Sequence, residues 1–303
     1  MVSTVAFRRL AFATAGFAYL QIALGGVVRV SGSGLGCPDW PLCHGRPYPP
    51  ADIHSIIEYS HRTVGTLTGL LLLATVILAW VVFRHRRPLV AWLATGSLLF
   101  YSVEAALGGV VVANELAPWL VLIHLAVAML ILGFLLATAI ASLPASTGTG
   151  DGGFRRLSVV AAVATYLLVL TGSTVVASKA DESCHAWPLC GSGFTPSFAG
   201  VDALTMLHRG AVLVVGILIV YVAIQAMRQA ASRAAGIAAL IVFGLQVAVG
   251  AGAALTDGAL FNGLHVAIAT LVWATVLSIA LVTRPRVDRE RAFARLAVEK
   301  RPA

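Results

Sequence analysis

Long apolar stretches separated by short polar segments dominate the sequence. Each stretch is about 20 residues or longer, which is the length that a helix needs to cross a hydrocarbon core roughly 30 Å thick. Uninterrupted apolar runs of this length predict transmembrane helices rather than strands or helices of a soluble core. The pattern predicts eight spans, at about residues 10–30, 56–83, 89–112, 118–141, 157–178, 204–227, 234–255 and 262–283.

The composition supports an all-α membrane protein. Apolar residues make up 59% of the chain and charged residues only 11%, whereas a soluble domain carries about a quarter charged residues. The net charge of +8 could suggest a nucleic-acid binder, but the basic residues lie in short loops and at the chain ends, so we expect no nucleic-acid partner. The first span lacks a small-residue cleavage site and is predicted to be a retained helix, not a leader.

The distribution of Lys and Arg predicts the orientation of the chain. Sixteen of these residues lie on one side of the predicted spans, whereas the loops of the other side hold only Arg46 and Lys179. By the positive-inside rule, both termini are cytoplasmic and the connections after spans 1, 3, 5 and 7 are extracytoplasmic. The basic tail, residues 284–303, is expected on the cytoplasmic side.

Two halves of the chain repeat each other. The motif Cys-x-x-Trp-Pro-Leu-Cys occupies residues 37–43 and recurs 147 residues later at 184–190. A His-Arg dipeptide follows the second Cys of each motif by 18 residues. The repeat predicts two tandem four-helix bundles, residues 1–141 and 157–283, joined by a cytoplasmic linker at 142–156. Glycine pairs such as Gly25-Gly26 and Gly108-Gly109 are interpreted as sites of close helix packing.

All four cysteines fall in predicted extracytoplasmic loops, where disulfides persist. Their spacing suggests that Cys37 pairs with Cys43 and Cys184 with Cys190, and it does not match common zinc motifs. The pairs are either structural staples or redox-active thiols, and the sequence leaves both possibilities open.

Four of the eight histidines lie in the outer part of the even-numbered spans, at matched positions of the repeat. Two imidazoles from two helices, occurring twice, are what two six-coordinate haem irons need. Zinc or copper would prefer further Cys or carboxylate ligands at the same depth. The remaining histidines lie in or near loops. The predicted iron ligands are His61 with His124 and His208 with His265.

The charged residues near these histidines suggest how the two halves differ. Arg62 and Arg209 are candidates to bind haem propionates, although both could simply snorkel to the membrane interface. Glu58 lies three residues before His61, on the same helix face, whereas the matching residue of the second half is Thr205. We therefore predict catalysis in the first half, with a helix-end carboxylate as the alternative interpretation of Glu58.

As a set, these motifs resemble the haem A synthase family over about residues 25 to 265. The resemblance implies an eight-helix bundle that oxidises the C8 methyl of haem O to a formyl group, giving haem A. It places the substrate haem O in the first half and a haem b cofactor in the second. It also implies a bacterial plasma membrane location, with haem O synthase, terminal oxidase assembly and an electron partner such as the quinone pool as possible partners.

Two other functional classes remain open from the sequence. A di-haem electron-transfer cytochrome would use the same four histidines without needing Glu58. A membrane thiol-disulfide oxidoreductase would use the four cysteines and treat the histidines as packing residues. A transporter is less compatible with the pattern, because the repeat is parallel and not inverted.

Overall fold

The structure is a computed structural model that describes residues 3–144, 152–190, 195–256 and 258–283. These residues form eight long α-helices and a short 3-10 turn at Ala180–Ser183. All eight α-helices are long and apolar enough to cross a membrane, which confirms the predicted spans. The helices are α1 Thr4–Val30, α2 Ile53–Phe83, α3 Pro88–Ala113, α4 Pro118–Ser142, α5 Gly152–Ala177, α6 Asp202–Met227, α7 Arg233–Thr256 and α8 Ala259–Val282.

Several helices begin before the apolar run because polar capping residues extend them. Ser3 accepts a hydrogen bond from the Ala6 amide and starts α1 six residues before the predicted boundary. Asp52 accepts from the Ser55 amide in the same way at α2. Such caps satisfy backbone N–H groups that the first turn of a helix leaves unpaired. Hydrophobicity alone does not mark these turns.

Each half packs around its own apolar core. Helices α1 to α4 pack in a ring in which α4 returns to α1, and α5 to α8 do the same. The first core buries Phe7, Leu72, Met129 and Leu135, and the second buries Ile219 and Val276. The division of the chain into two tandem four-helix units stays a prediction. Residues 145–151 of the predicted linker and the whole basic tail, 284–303, lie outside the described residues.

Helix α8 joins the two halves. It packs against α1 and α4 as well as against α5 and α7, and its Trp273 belongs to the first core while donating from Nε1 to the carbonyl of Ala162. A Cβ built on Gly26 of α1 would lie 3.3 Å from Cβ of Val266 in α8. Gly26 therefore does what the sequence predicts for these glycines, since it permits close approach of two helices.

The two ends of the bundle are finished differently. At one end, Arg8 and Arg87 donate hydrogen bonds to backbone carbonyls at the carboxyl end of α4. These carbonyls have no donor within the helix, because no further turn follows them. At the other end lie the two cysteine-containing connections, α1–α2 and α5–α6. The short α3–α4 connection packs there too, because the Leu116 side chain lies against Gly34 of the first connection.

Candidate haem sites

Each even-numbered helix presents one histidine to a glycine of the helix before it. A Cβ built on any of these glycines would lie only 2.8 to 3.5 Å from the ring carbon Cε1 of the histidine. Because glycine has no side chain, the imidazole fits between the two helices at this position. The pairs are Gly25 with His61, Gly108 with His124, Gly172 with His208, and Gly250 with His265. For Gly25 and Gly108, helix packing alone was an incomplete interpretation.

The structure brings the two histidines of each predicted pair near each other, while their role as iron ligands stays a prediction. His61 of α2 and His124 of α4 lie within electrostatic range of each other, and so do His208 of α6 and His265 of α8. Each pair draws its two imidazoles from two helices of one four-helix unit. Two imidazoles are the axial ligand set that many haem irons take.

Every one of these imidazoles also has a polar neighbour on the preceding helix. Gln21 lies 3.1 Å from His61, Thr171 lies 2.9 Å from Nδ1 of His208, and Gln246 lies 3.1 Å from Nδ1 of His265. Oε1 of Glu104 lies 3.0 Å from Nδ1 of His124. Sequence reasoning missed all four neighbours. The signal was present for three of them, since Gln21, Glu104 and Gln246 each stand four residues before one of the glycines, on the same helix face.

Unpaired buried polar atoms concentrate around the same histidines. Buried polar atoms in folded proteins nearly always have a partner, so a cluster without one indicates a ligand. Among the described residues, no group of three or more His, Cys, Asp or Glu side chains is placed to hold a metal ion. The unpaired atoms are Oε1 of Gln21, Nδ1 of His61, Oε2 of Glu104, Nδ1 of His124 and Oε1 of Gln246.

Glu58 and Arg62 form a buried ion pair beneath the first cysteine loop. Oε1 of Glu58 lies 2.5 Å from a guanidinium nitrogen of Arg62, and Oε2 accepts from the Cys37 amide at 2.8 Å. The Arg62 guanidinium also donates to three loop carbonyls, those of Cys37, Asp39 and Leu42. Both side chains therefore tie the loop to α2. Their predicted roles in catalysis and propionate binding stay predictions.

The second half keeps the arginine contact but not the ion pair. Arg209 donates to the carbonyls of Ala186 and Pro188 in the second cysteine loop. Thr205, at the position of Glu58, is buried and donates to the carbonyl of Ala180 at 3.0 Å. The contact between Arg209 and a propionate likewise stays a prediction.

Both cysteine pairs are disulfides, as the spacing suggests. Cys37 is bonded to Cys43 and Cys184 to Cys190, with Cα separations of 4.6 and 5.3 Å. All four cysteines are buried. Whether the pairs are structural or redox-active stays open.

Asp39 organises the first loop locally. Its carboxylate accepts from the backbone amides of Gly45 at 2.7 Å and His44 at 2.6 Å. These hydrogen bonds, that of Gly45 foremost, hold the pKa of Asp39 below its usual value. Two of the loop-side histidines have local partners, since His44 contacts the Gly36 carbonyl and His54 contacts the Ser33 hydroxyl.

Comparison with known proteins gives the same picture over most of the chain. The haem A synthase of Symbiobacterium thermophilum is 32% identical over 228 residues, which cover 69% of this chain and 72% of that protein. The haem A synthase of Bacillus licheniformis is 29% identical over 224 residues, covering 70% and 73%. That of Shouchella clausii is 28% identical over 294 residues, covering 91% and 97%.

Residues 8–277 match the cytochrome oxidase assembly protein family, and this range contains all eight helices' central parts, both disulfides and the four paired histidines. Its eight apolar helices make it a multi-pass membrane protein. The chain belongs to the cytochrome oxidase assembly protein family.

Proposed function

We propose that this protein is a haem A synthase, an oxidoreductase that converts the C8 methyl of haem O to a formyl group and so produces haem A. The observation that carries the proposal is the set of four imidazoles, which fall into two neighbouring pairs, each imidazole seated against a helix glycine. Relatives named haem A synthase, which this chain matches over about 70% or more of its length, support the same reaction.

The two pairs have different tasks in this proposal. His61 and His124, within residues 1–141, hold the iron of the substrate haem O, and His208 and His265, within residues 157–283, hold a resident haem b. The support for this division is an asymmetry of the two halves, because among the described residues only the first half buries a carboxylate next to a site histidine. Haem b, when bound, supplies a one-electron redox centre.

Glu58 is the proposed catalytic residue. It stands one helical turn before His61, its carboxylate is buried, and it can take up a proton or stabilise positive charge that develops as the substrate methyl is oxidised. Arg62 and Arg209 each keep their guanidinium at the cysteine-loop end of the site, where haem propionates would meet them.

The proposed location is the bacterial plasma membrane, with both termini in the cytoplasm and both cysteine loops outside. The support is the excess of Lys and Arg at the opposite end of the bundle, where Arg8 and Arg87 lie. Membrane lipid surrounds the helices. A haem O synthase as supplier, an assembling terminal oxidase as recipient and the quinone pool as electron partner fit this chemistry.

Pigment analysis of the purified protein tests the proposal directly. We expect a Soret band of bis-histidine character and, after extraction and chromatography, haem O or haem A beside haem b. Haem b alone would contradict the synthase proposal and favour a di-haem electron-transfer cytochrome. Protein without haem that exchanges disulfides with an added thiol substrate would favour the oxidoreductase of the cysteine loops.

A further inference from the structure

Helix α3 buries a carboxylate that the proposed chemistry leaves without a task. Glu104 is only 8% exposed, and its Oε1 lies 3.0 Å from Nδ1 of His124 while Oε2 has no hydrogen-bond partner. The two nearest atoms are within hydrogen-bonding distance, although the His124 nitrogen makes no hydrogen bond in this geometry. Carboxylates inside a membrane are costly and are retained for a function.

The position of Glu104 belongs to a frame that occurs in three helices. A polar residue stands four residues before the glycine that seats the histidine, so both lie on one helix face. In α1 the polar residue is Gln21 and in α7 it is Gln246, each 3.1 Å from a nitrogen of its histidine. The frame is therefore the same in its spacing, although Gln21 contacts Nε2 of His61 whereas Glu104 lies against Nδ1 of His124. Of these three polar residues, only Glu104 places a carboxylate in the frame.

Contact through Nδ1 leaves the other ring nitrogen of His124 for the iron. A histidine that ligates a metal commonly donates its second N–H to a carboxylate or carbonyl, which fixes the ring and makes it a stronger donor. An anionic partner also favours the oxidised form of a haem, since charge and hydrogen bonds around the ligands set its potential. Gln246 can fix the ring of His265, but it adds no charge.

We propose that Glu104 is a positioning residue that orients His124 through Nδ1 and, by its negative charge, lowers the reduction potential of the haem in the first half relative to that in the second. The inference rests on the proposed function only in taking both histidine pairs as haem sites.

The test is a redox titration of the purified, haem-loaded full-length protein followed by its absorption spectrum. His124→Ala first identifies the haem of this site as the one that is lost. We expect Glu104→Gln, which keeps the shape and removes the charge, to make that haem at least about tenfold easier to reduce, equivalent to about 59 mV for a one-electron couple. The potential of the other haem should not change. Glu104→Asp should stay closer to wild type than Glu104→Gln.

The second half provides the reverse experiment. Gln246→Glu introduces the carboxylate into the same frame, and we expect it to lower the potential of the His265 haem while leaving the other haem unchanged. This variant keeps the test decisive if Glu104→Gln fails to retain its haem. Glu115→Gln, the same change at an exposed loop residue, is the matched control and should shift neither potential.

Two results would overturn the inference. One is an unchanged potential in haem-loaded Glu104→Gln, and the other is an unchanged potential of the His265 haem in Gln246→Glu. Extraction of the wild-type pigments keeps this outcome separate from the proposed reaction. If both haems prove to be haem b, the synthase proposal fails, yet the two potentials still test the role of Glu104.

Discussion

In both halves of the molecule, the arginine that follows a site histidine donates to the carbonyl two residues after the first cysteine of the loop. Arg62 donates to Asp39 at 2.6 Å, and Arg209 donates to Ala186 at 2.8 Å. Each loop is therefore attached to its helix by an equivalent hydrogen bond from the arginine to the loop backbone. They differ in the residue three positions before the histidine, which is Glu58 in the first half and Thr205 in the second.

The first loop is held by charge as well as by its disulfide. The Glu58 carboxylate accepts a hydrogen bond from the Cys37 amide and forms an ion pair with Arg62, whose side chain is also mostly buried. Removing one member of a buried pair leaves the other charge uncompensated, which typically costs about 3 to 5 kcal/mol. The second loop has no equivalent pair, since Thr205 offers a single neutral hydrogen bond. The comparison teaches that the same contact between arginine and loop can be accompanied by a buried ion pair in one half and by a neutral hydrogen bond in the other.

A change of one iron ligand should have the largest effect on this comparison. We expect His208→Ala to lose most of the b-type spectrum while the protein still inserts, because the haem iron loses an axial ligand. His61→Ala is the matched variant and should spare that spectrum while abolishing haem A formation. Reduced-minus-oxidised spectra of the membranes provide the measurement. An unchanged spectrum in His208→Ala would contradict the assignment of haem b to the second half.

The next largest effect is expected for Glu58→Gln, which keeps the shape of the side chain but removes its charge and its proton transfer. Haem b of the other half should remain, while haem O or a partly oxidised derivative accumulates and haem A falls by roughly 100-fold or more. The measurement is chromatography of haems extracted from cells that also make haem O. Thr205→Val is the control in the second half.

The haem content of the same sample separates two explanations. Retained haem O without haem A shows that Glu58 acts in the reaction. Wild-type levels of haem A would show that its carboxylate only anchors the first loop, and would remove the main reason for placing catalysis in the first half.

The fold could be predicted because each transmembrane helix leaves a continuous apolar run in the sequence. The iron-ligand candidates could be found because the repeat sets His61 and His208 in one register. Glu104 and Gln246 were missed, since a polar residue within a span gains meaning only when its neighbour on the next helix is known. The glycine pairs were interpreted only as packing sites for the same reason: the sequence does not show that Gly25 faces a histidine.

The loop contacts of Glu58 and Arg62 were also beyond the sequence. Helix periodicity places both side chains at the end of α2, but it does not show the path of the chain between residues 33 and 52. The structure folds that segment back over the helix, so that backbone groups of Cys37 and Leu42 reach the ion pair. Glu58 and Arg62, which the sequence led us to expect at the haem, therefore also hold the first cysteine loop in place.

Loss of a disulfide should have a moderate effect that differs between the halves. We expect Cys184→Ala to cost about 2 kcal/mol by the loop-entropy estimate. Haem b retention should fall more than turnover per folded molecule. Cys37→Ala should leave its loop better protected, because Glu58 and Arg62 still hold it. Limited proteolysis of each loop and thermal haem release measure the difference. A Cys184→Ala protein of normal stability without turnover would instead support redox-active cysteines.

The smallest expected effect concerns Asp39, whose place in the second loop is taken by Ala186. Its folded pKa is lowered by the amides of Gly45 and His44, so its contribution to loop stability is present above the unfolded value of about 3.9 and is lost as the pH falls through the folded pKa. We expect hydrogen-exchange protection of the His44 and Gly45 amides, corrected for the intrinsic rate, to fall as the pH is lowered from 7 to 3. Asp39→Asn should show weaker protection at pH 7 and little further change, and peptides of the second loop serve as the internal control. Equal protection of the wild-type loop at pH 7 and pH 3 would show that the carboxylate adds nothing to the disulfide and the arginine contact, and the two loops would then differ only through Glu58.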